Sequence, residues 1–191
     1  MNKATVIADA GPLIAMGRIS HFSLLASVLG KIIIPQAVAD ECLAEIAKPG
    51  AHEIQRAINR KDVEIYKNPA IHTYQKWLDL LGPGESAAIM LASQLKTGLL
   101  IDEKLGRHVA RKVNIPLIGT AGVLLLAKQK KYIPEVAPLI TALKIQGYYF
   151  SATLEKEILL RAHESCKAKI EAIIKEDEAY GKINTKTSLF E

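Results

Sequence analysis

Four short apolar runs punctuate the chain: Thr5-Val6-Ile7-Ala8, Lys31-Ile32-Ile33-Ile34, Gly98-Leu99-Leu100-Ile101 and Ile115-Pro116-Leu117-Ile118. Each is apolar nearly throughout instead of alternating, which is the pattern of a strand covered on both faces in a parallel sheet. Val63-Glu64-Ile65 reads as a further short strand and Tyr148-Tyr149-Phe150 as a last edge strand. Helical spacing fills the intervals over residues 35–48, 84–96, 104–113, 120–131 and 134–146. In the first of these, Val38, Cys42, Leu43 and Ile46 share a face and Pro35 suits the first turn. Turn signals fall at Lys48-Pro49-Gly50, Asn68-Pro69 and Gly82-Pro83-Gly84. Strands alternating with helices through right-handed crossovers predict an α/β fold, a three-layer α/β/α sandwich on a central, mainly parallel sheet.

From Ser151 the pattern changes. Ser151 and Glu155 frame a helix start, and a charged helix is expected from there to about residue 180, followed by a frayed tail over 181–191. Residues 1–160 are therefore expected to form the domain and 161–191 a C-terminal helical extension and tail. The extension is expected to pack on the domain edge or on another chain, and twofold association into a homodimer is the expected form.

Composition narrows the class. Of 191 residues, 49% are apolar, enough for a sizeable core. No apolar run is long enough to span a bilayer, and the N-terminal residues lack the pattern of a secretory signal. Two distant cysteines, Cys42 and Cys166, exclude a disulfide framework or a cysteine-rich zinc site. A cytoplasmic protein without membrane contact is expected. The net charge of +5 permits a polyanionic partner without demanding one. Its distribution says more, because Lys96, Lys104, Arg107, Arg111, Lys112, Lys128, Lys130 and Lys131 fall in a stretch whose acids are Asp102 and Glu103.

Ligands of an open parallel sheet bind where strands end and helices begin. Asp9 follows the first run and Asp102 the run ending at Ile101. Glu41 lies in the helix after Ile32-Ile33-Ile34, Glu85 opens the helix after Gly82-Pro83-Gly84, and Thr120 follows Ile118-Gly119. Singly, Asp9 and Asp102 read as N-caps and Glu85 as a residue complementing a helix dipole. Brought together, such carboxylates repel one another unless a cation fills the space between them. Oxygen donors without a cysteine or histidine cluster select Mg²⁺ or Mn²⁺.

These residues resemble the motifs of the PIN-domain family. Val6-Ile7-Ala8-Asp9-Ala10-Gly11-Pro12-Leu13-Ile14 is similar to the family's opening, and Ile34-Pro35-Gln36-Ala37-Val38-Ala39-Asp40-Glu41 to its second acidic motif. Leu81-Gly82-Pro83-Gly84-Glu85-Ser86 and Leu100-Ile101-Asp102-Glu103 resemble the third and fourth, and Ile118-Gly119-Thr120-Ala121-Gly122 a PIN-like subgroup of bacteria and archaea. The resemblance covers about residues 4–160. It implies a metal-dependent ribonuclease fold, often the toxin of a toxin–antitoxin pair with an antitoxin protein as partner. Position by position it makes Asp9, Glu41, Glu85 and Asp102 the metal-binding and catalytic acids, with Thr120 orienting water. The family's further acid falls at Gly122, and its absence here puts a second metal site in question. Lys104, Arg107 and Arg111, at helical spacing after Asp102, are the expected RNA contacts. The reading is a Mg²⁺- or Mn²⁺-dependent endoribonuclease. The alternative is a catalytically degenerate PIN-like module that binds RNA or a protein partner, and a small-molecule phosphohydrolase stands third.

Overall fold

The structure, a computed structural model, describes residues 5–44 and 50–164. Strands β1 (Thr5–Ala8), β2 (Lys31–Pro35), β3 (Val63–Tyr66), β4 (Gly98–Leu100) and β5 (Leu117–Ile118) form one sheet in the order β3-β2-β1-β4-β5. Every pairing is parallel. Ile32, Ile33 and Ile34 are all buried, as are Leu99 and Leu100. Consecutive strand residues point to opposite faces, so both faces of the sheet are covered.

The helices supply the two outer layers. α1 (Ala10–Arg18) and α2 (Phe22–Leu29) connect β1 to β2, α3 (Gln36–Leu43) and α4 (Ala51–Asn59) lead to β3, and α5 (Gln75–Leu78) and α6 (Pro83–Leu95) lead to β4. Helix α7 (Lys104–Lys112) joins β4 to β5, and α8 (Thr120–Gln129), α9 (Ala137–Ile145) and α10 (Ala152–Arg161) follow. Helix α6 lies across β1, β2 and β4 with α3 and α7 beside it, while α1, α2 and α4 pack together and α2 meets α8. Pro83 occupies the first turn of α6, where its missing N–H has no partner to lose. Ala87, Ala88 and Ala92 keep that helix close to the strands it covers.

The strand order positions the site. The chain walks outward from β1 to β3, then returns to place β4 on the other side of β1. Connections leaving β1 and β4 therefore diverge, and a crevice opens at the carboxyl ends of these two neighbours.

Helices α1 and α4 also approach closely. A Cβ on Gly17 would stand 2.9 Å from the Gly50 carbonyl oxygen, and Gly50 itself adopts φ +97°. Gly17→Ala is expected to lower stability by about 1–3 kcal/mol, as overpacking does, which urea unfolding would measure.

Several expectations are corrected. Tyr148-Tyr149-Phe150 is not a strand; Gly147 at φ +84° turns the chain, and Tyr148 and Phe150 pack ring against ring at 4.8 Å. Helix α10 is capped by the Ser151 side chain, as expected, but ends at Arg161 instead of running on toward residue 180. His163 takes a left-handed conformation (φ 57°), and Glu164 folds inward onto the start of α9. Helix α3 stops at Leu43, and the predicted continuation through Ile46 lies outside the described residues, as does everything past Glu164. Helix α9 begins at Ala137, three residues later than predicted. Among the described residues no helix is long and apolar enough to cross a membrane.

Candidate active site

Asp9 ends β1 and stands at the N-cap position of α1. Its backbone N–H donates to Leu100 O at 2.9 Å, which locks it between β1 and β4. Its side chain makes no capping hydrogen bond and is buried, at 7% exposure. Burial pushes its pKa up to about 7; the amides of Ala10 and Gly11 oppose the rise, and the charges of Glu85 and Glu41 add to it.

Glu85 projects from the first turn of α6 and is half-buried. Burial raises its pKa as well, against the pull of the Gly82 backbone, with Glu103 and Glu41 adding to the rise. Its Oε1 is fully buried with no hydrogen-bond partner among the described residues. Glu41, on the exposed face of α3, reaches α6, where a Cβ on Gly84 would meet its Oε2 at 2.8 Å. At this end of the sheet the charges of Glu41 and Glu85 thus disfavour that of Asp9, and the charge of Glu41 disfavours that of Glu85. Cys42, behind Glu41, is buried and its thiol is pushed up to about 12 by that burial, which leaves it unreactive.

Asp102 follows β4, at the same end of the sheet, and is held differently. Its Oδ1 accepts from Thr120 N at 2.8 Å and its Oδ2 from Thr120 Oγ1 at 2.6 Å, so it fastens the start of α8 to the end of β4. Arg107 donates to Ile101 O at 2.7 Å and braces the same strand end. The Tyr148 phenol stands against this group: burial raises its pKa most, followed by the charge of Asp102 and contact with it. Of the expected RNA contacts, Lys104 and Arg111 are exposed on α7, whereas Arg107 is half-buried with its guanidinium committed to the backbone.

Carboxylates bearing an unsatisfied buried oxygen suit a hard divalent cation, which accepts oxygen donors and relieves their mutual repulsion. The donor chemistry fits. Among the described residues, however, no three His, Cys, Asp or Glu side chains stand close enough together to hold a metal ion as they are placed here.

Sequence reasoning missed Tyr148, Glu103 as an added negative charge beside Glu85, and a set of glycines. A Cβ on Gly106 would lie 2.6 Å from Glu85 Oε1, and one on Gly119 would lie 2.7 Å from Asp102 Oδ1. Gly84, Gly106 and Gly119 each leave room for one acid. Gly84 and Gly119 stand in the quoted motifs and Gly106 in the helix after Asp102, but the acids they accommodate sit on other elements.

The family model described as DUF3368, PIN domain, matches residues 5–164. Among solved structures the chain is similar to a domain of a functionally unknown protein from Methanocaldococcus jannaschii DSM 2661. Identity there is 21% and the TM-score 0.45, over 61% of this chain and 90% of that one. No curated protein matches. PIN domains are generally nucleases, and they typically use divalent metal ions. The chain belongs to the PIN-domain family, through a match that takes in every element from β1 to α10 and all the acids at the crevice.

Proposed function

We propose that the protein is a Mg²⁺- or Mn²⁺-dependent endoribonuclease that hydrolyses RNA phosphodiester bonds without a covalent intermediate. One observation carries the reading: where the connections of β1 and β4 diverge, the buried Asp9 feels the charges of Glu85 and Glu41, and one Glu85 oxygen is buried without a partner among the described residues. Asp9, Glu41 and Glu85 would hold the ion, which would have to draw them closer than they stand here. Asp102 keeps lone pairs free beyond its two bonds to Thr120 and would add to them. When bound, the ion supplies Lewis-acid polarisation of a phosphate and lowers the pKa of water.

The remaining work falls to the chain's own residues. Thr120 fixes the direction of Asp102, Arg107 braces the strand that carries it, and the exposed Lys104 and Arg111 offer cations to the RNA backbone. A cytoplasmic toxin restrained by an antitoxin protein, and self-association as a homodimer, complete the proposed setting.

The degenerate binding module is the second reading, and Gly122 favours it. A Cβ there would lie 2.9 Å from Ile118 Cγ1, so the missing acid is built into the packing of α8 on β5. Cleavage of a mixed RNA panel separates the two. Asp102→Asn keeps the shape of the α8 cap while removing its charge, and is expected to lower Mn²⁺-dependent cleavage at least about 100-fold, the scale of losing an electrostatic catalytic group. RNA bound equally well in chelator, and never cut by the unaltered protein, would establish the module instead.

A further inference from the structure

Gly106 is the third residue of α7, buried inside a regular helix, where glycine is a poor choice and no positive φ calls for it. A Cβ there would stand 2.6 Å from Glu85 Oε1, 3.5 Å from Glu85 Cδ and 2.6 Å from Ile101 Cδ1. The same Glu85 oxygen is buried and without a partner among the described residues. The Glu85 carboxylate, projecting from α6, therefore lies in the gap that the absent side chain leaves on α7.

We infer that Gly106 is a positioning residue for Glu85: its bare backbone is the berth that lets a glutamate lay its carboxylate across to α7 while staying in the field of Asp9 and Glu41. An alanine at 106 would displace the carboxylate, although alanine is the better helix former. The consequence for metal binding rests on the divalent-ion reading above; the packing relation between the two residues does not.

The experiment uses the full chain carrying Ile101→Val, which removes Cδ1 and leaves Glu85 as the close neighbour of position 106. Gly106→Ala is introduced beside Glu85 and, separately, beside Glu85→Asp, whose carboxylate is one methylene shorter. Mn²⁺ affinity is read by calorimetry, and the thermal midpoint is read in chelator. Beside Glu85, Gly106→Ala is expected to weaken Mn²⁺ binding about tenfold, as lost ligand support does, and to lower the midpoint. Beside Glu85→Asp it is expected to raise the midpoint by about 2–4 °C through helix preference. Unchanged Mn²⁺ affinity together with a raised midpoint in both backgrounds overturns the inference. A reference protein that takes up no Mn²⁺ overturns the metal reading instead, and the pair of midpoints still decides whether Glu85 is seated on Gly106.

Discussion

Replacing Asp9 by asparagine is expected to stabilise the metal-free protein at pH 8 by about 4 kcal/mol while removing its divalent-ion binding. The carboxyl is buried beside two other acids, and its pKa rises from an ordinary 3.8 to about 7. Roughly three units at about 1.4 kcal/mol each give that magnitude. The folded state binds the proton more tightly than the unfolded chain, so this contribution is fully present below pH 4. It is lost as pH climbs toward 7, because only the unfolded state then releases the proton readily. Asparagine has no proton to lose. In urea unfolding, the difference between Asp9→Asn and the unaltered protein should be small at pH 4 and grow to its full size by pH 8. Saturating Mn²⁺ should reverse the order at pH 8, because an ion that binds the folded state stabilises by mass action and asparagine offers it no charge. A flat difference across this range would mean that Asp9 is an ordinary solvated cap.

That site was partly legible in the chain. The four apolar runs predicted strands because residues buried on both faces must be apolar at every position, and β1, β2, β4 and β5 lie within or close to those runs. Asp9 and Asp102 are legible one or two residues past a strand and Glu85 in the first turn of a helix, whereas Glu41, late in α3, stands out only through the motif it resembles. Helices α1, α2, α4 and α5 fall outside the predicted segments, between stronger signals, and the pattern runs α10 on past Arg161 because nothing in the polar sequence around His163 announces a left-handed residue. Pairing across elements was beyond reach. The sequence places Glu85 at the start of α6 but cannot say that its carboxylate rests on Gly106 of α7, nor that each oxygen of Asp102 accepts one hydrogen bond from Thr120. Three adjacent aromatics at 148–150 fit the pleated surface of an edge strand, but the turn at Gly147 sends the Tyr148 phenol to Asp102.

Glu164→Ala is expected to cost about 3–5 kcal/mol, the scale of breaking one side of a buried ion pair. This lowers the thermal midpoint by about 10 °C in a chain of this length. Glu164 Oε1 accepts from Lys128 Nζ at 2.6 Å and Val136 N at 2.7 Å, and its Oε2 accepts from Ala137 N at 2.8 Å. With only 8% of its surface exposed, one carboxylate ties the end of the described chain to the N-terminus of α9 and the flank of α8. Alanine would leave two amides without an acceptor and a lysine held only by the Ala162 carbonyl. Burial works to raise the Glu164 pKa, but Lys128 and the two amides outweigh it and hold the carboxyl below its ordinary range. The contribution is therefore full above the unfolded carboxylate pKa and is lost as pH falls through the lowered folded value, opposite in slope to that of Asp9. The gap between Glu164→Ala and the unaltered protein should be widest near pH 7 and narrow in acid, where protonation weakens the same contacts in both. Calorimetric unfolding across pH 3–7 reads this directly, and a gap that stays constant would assign the loss to packing and not to charge.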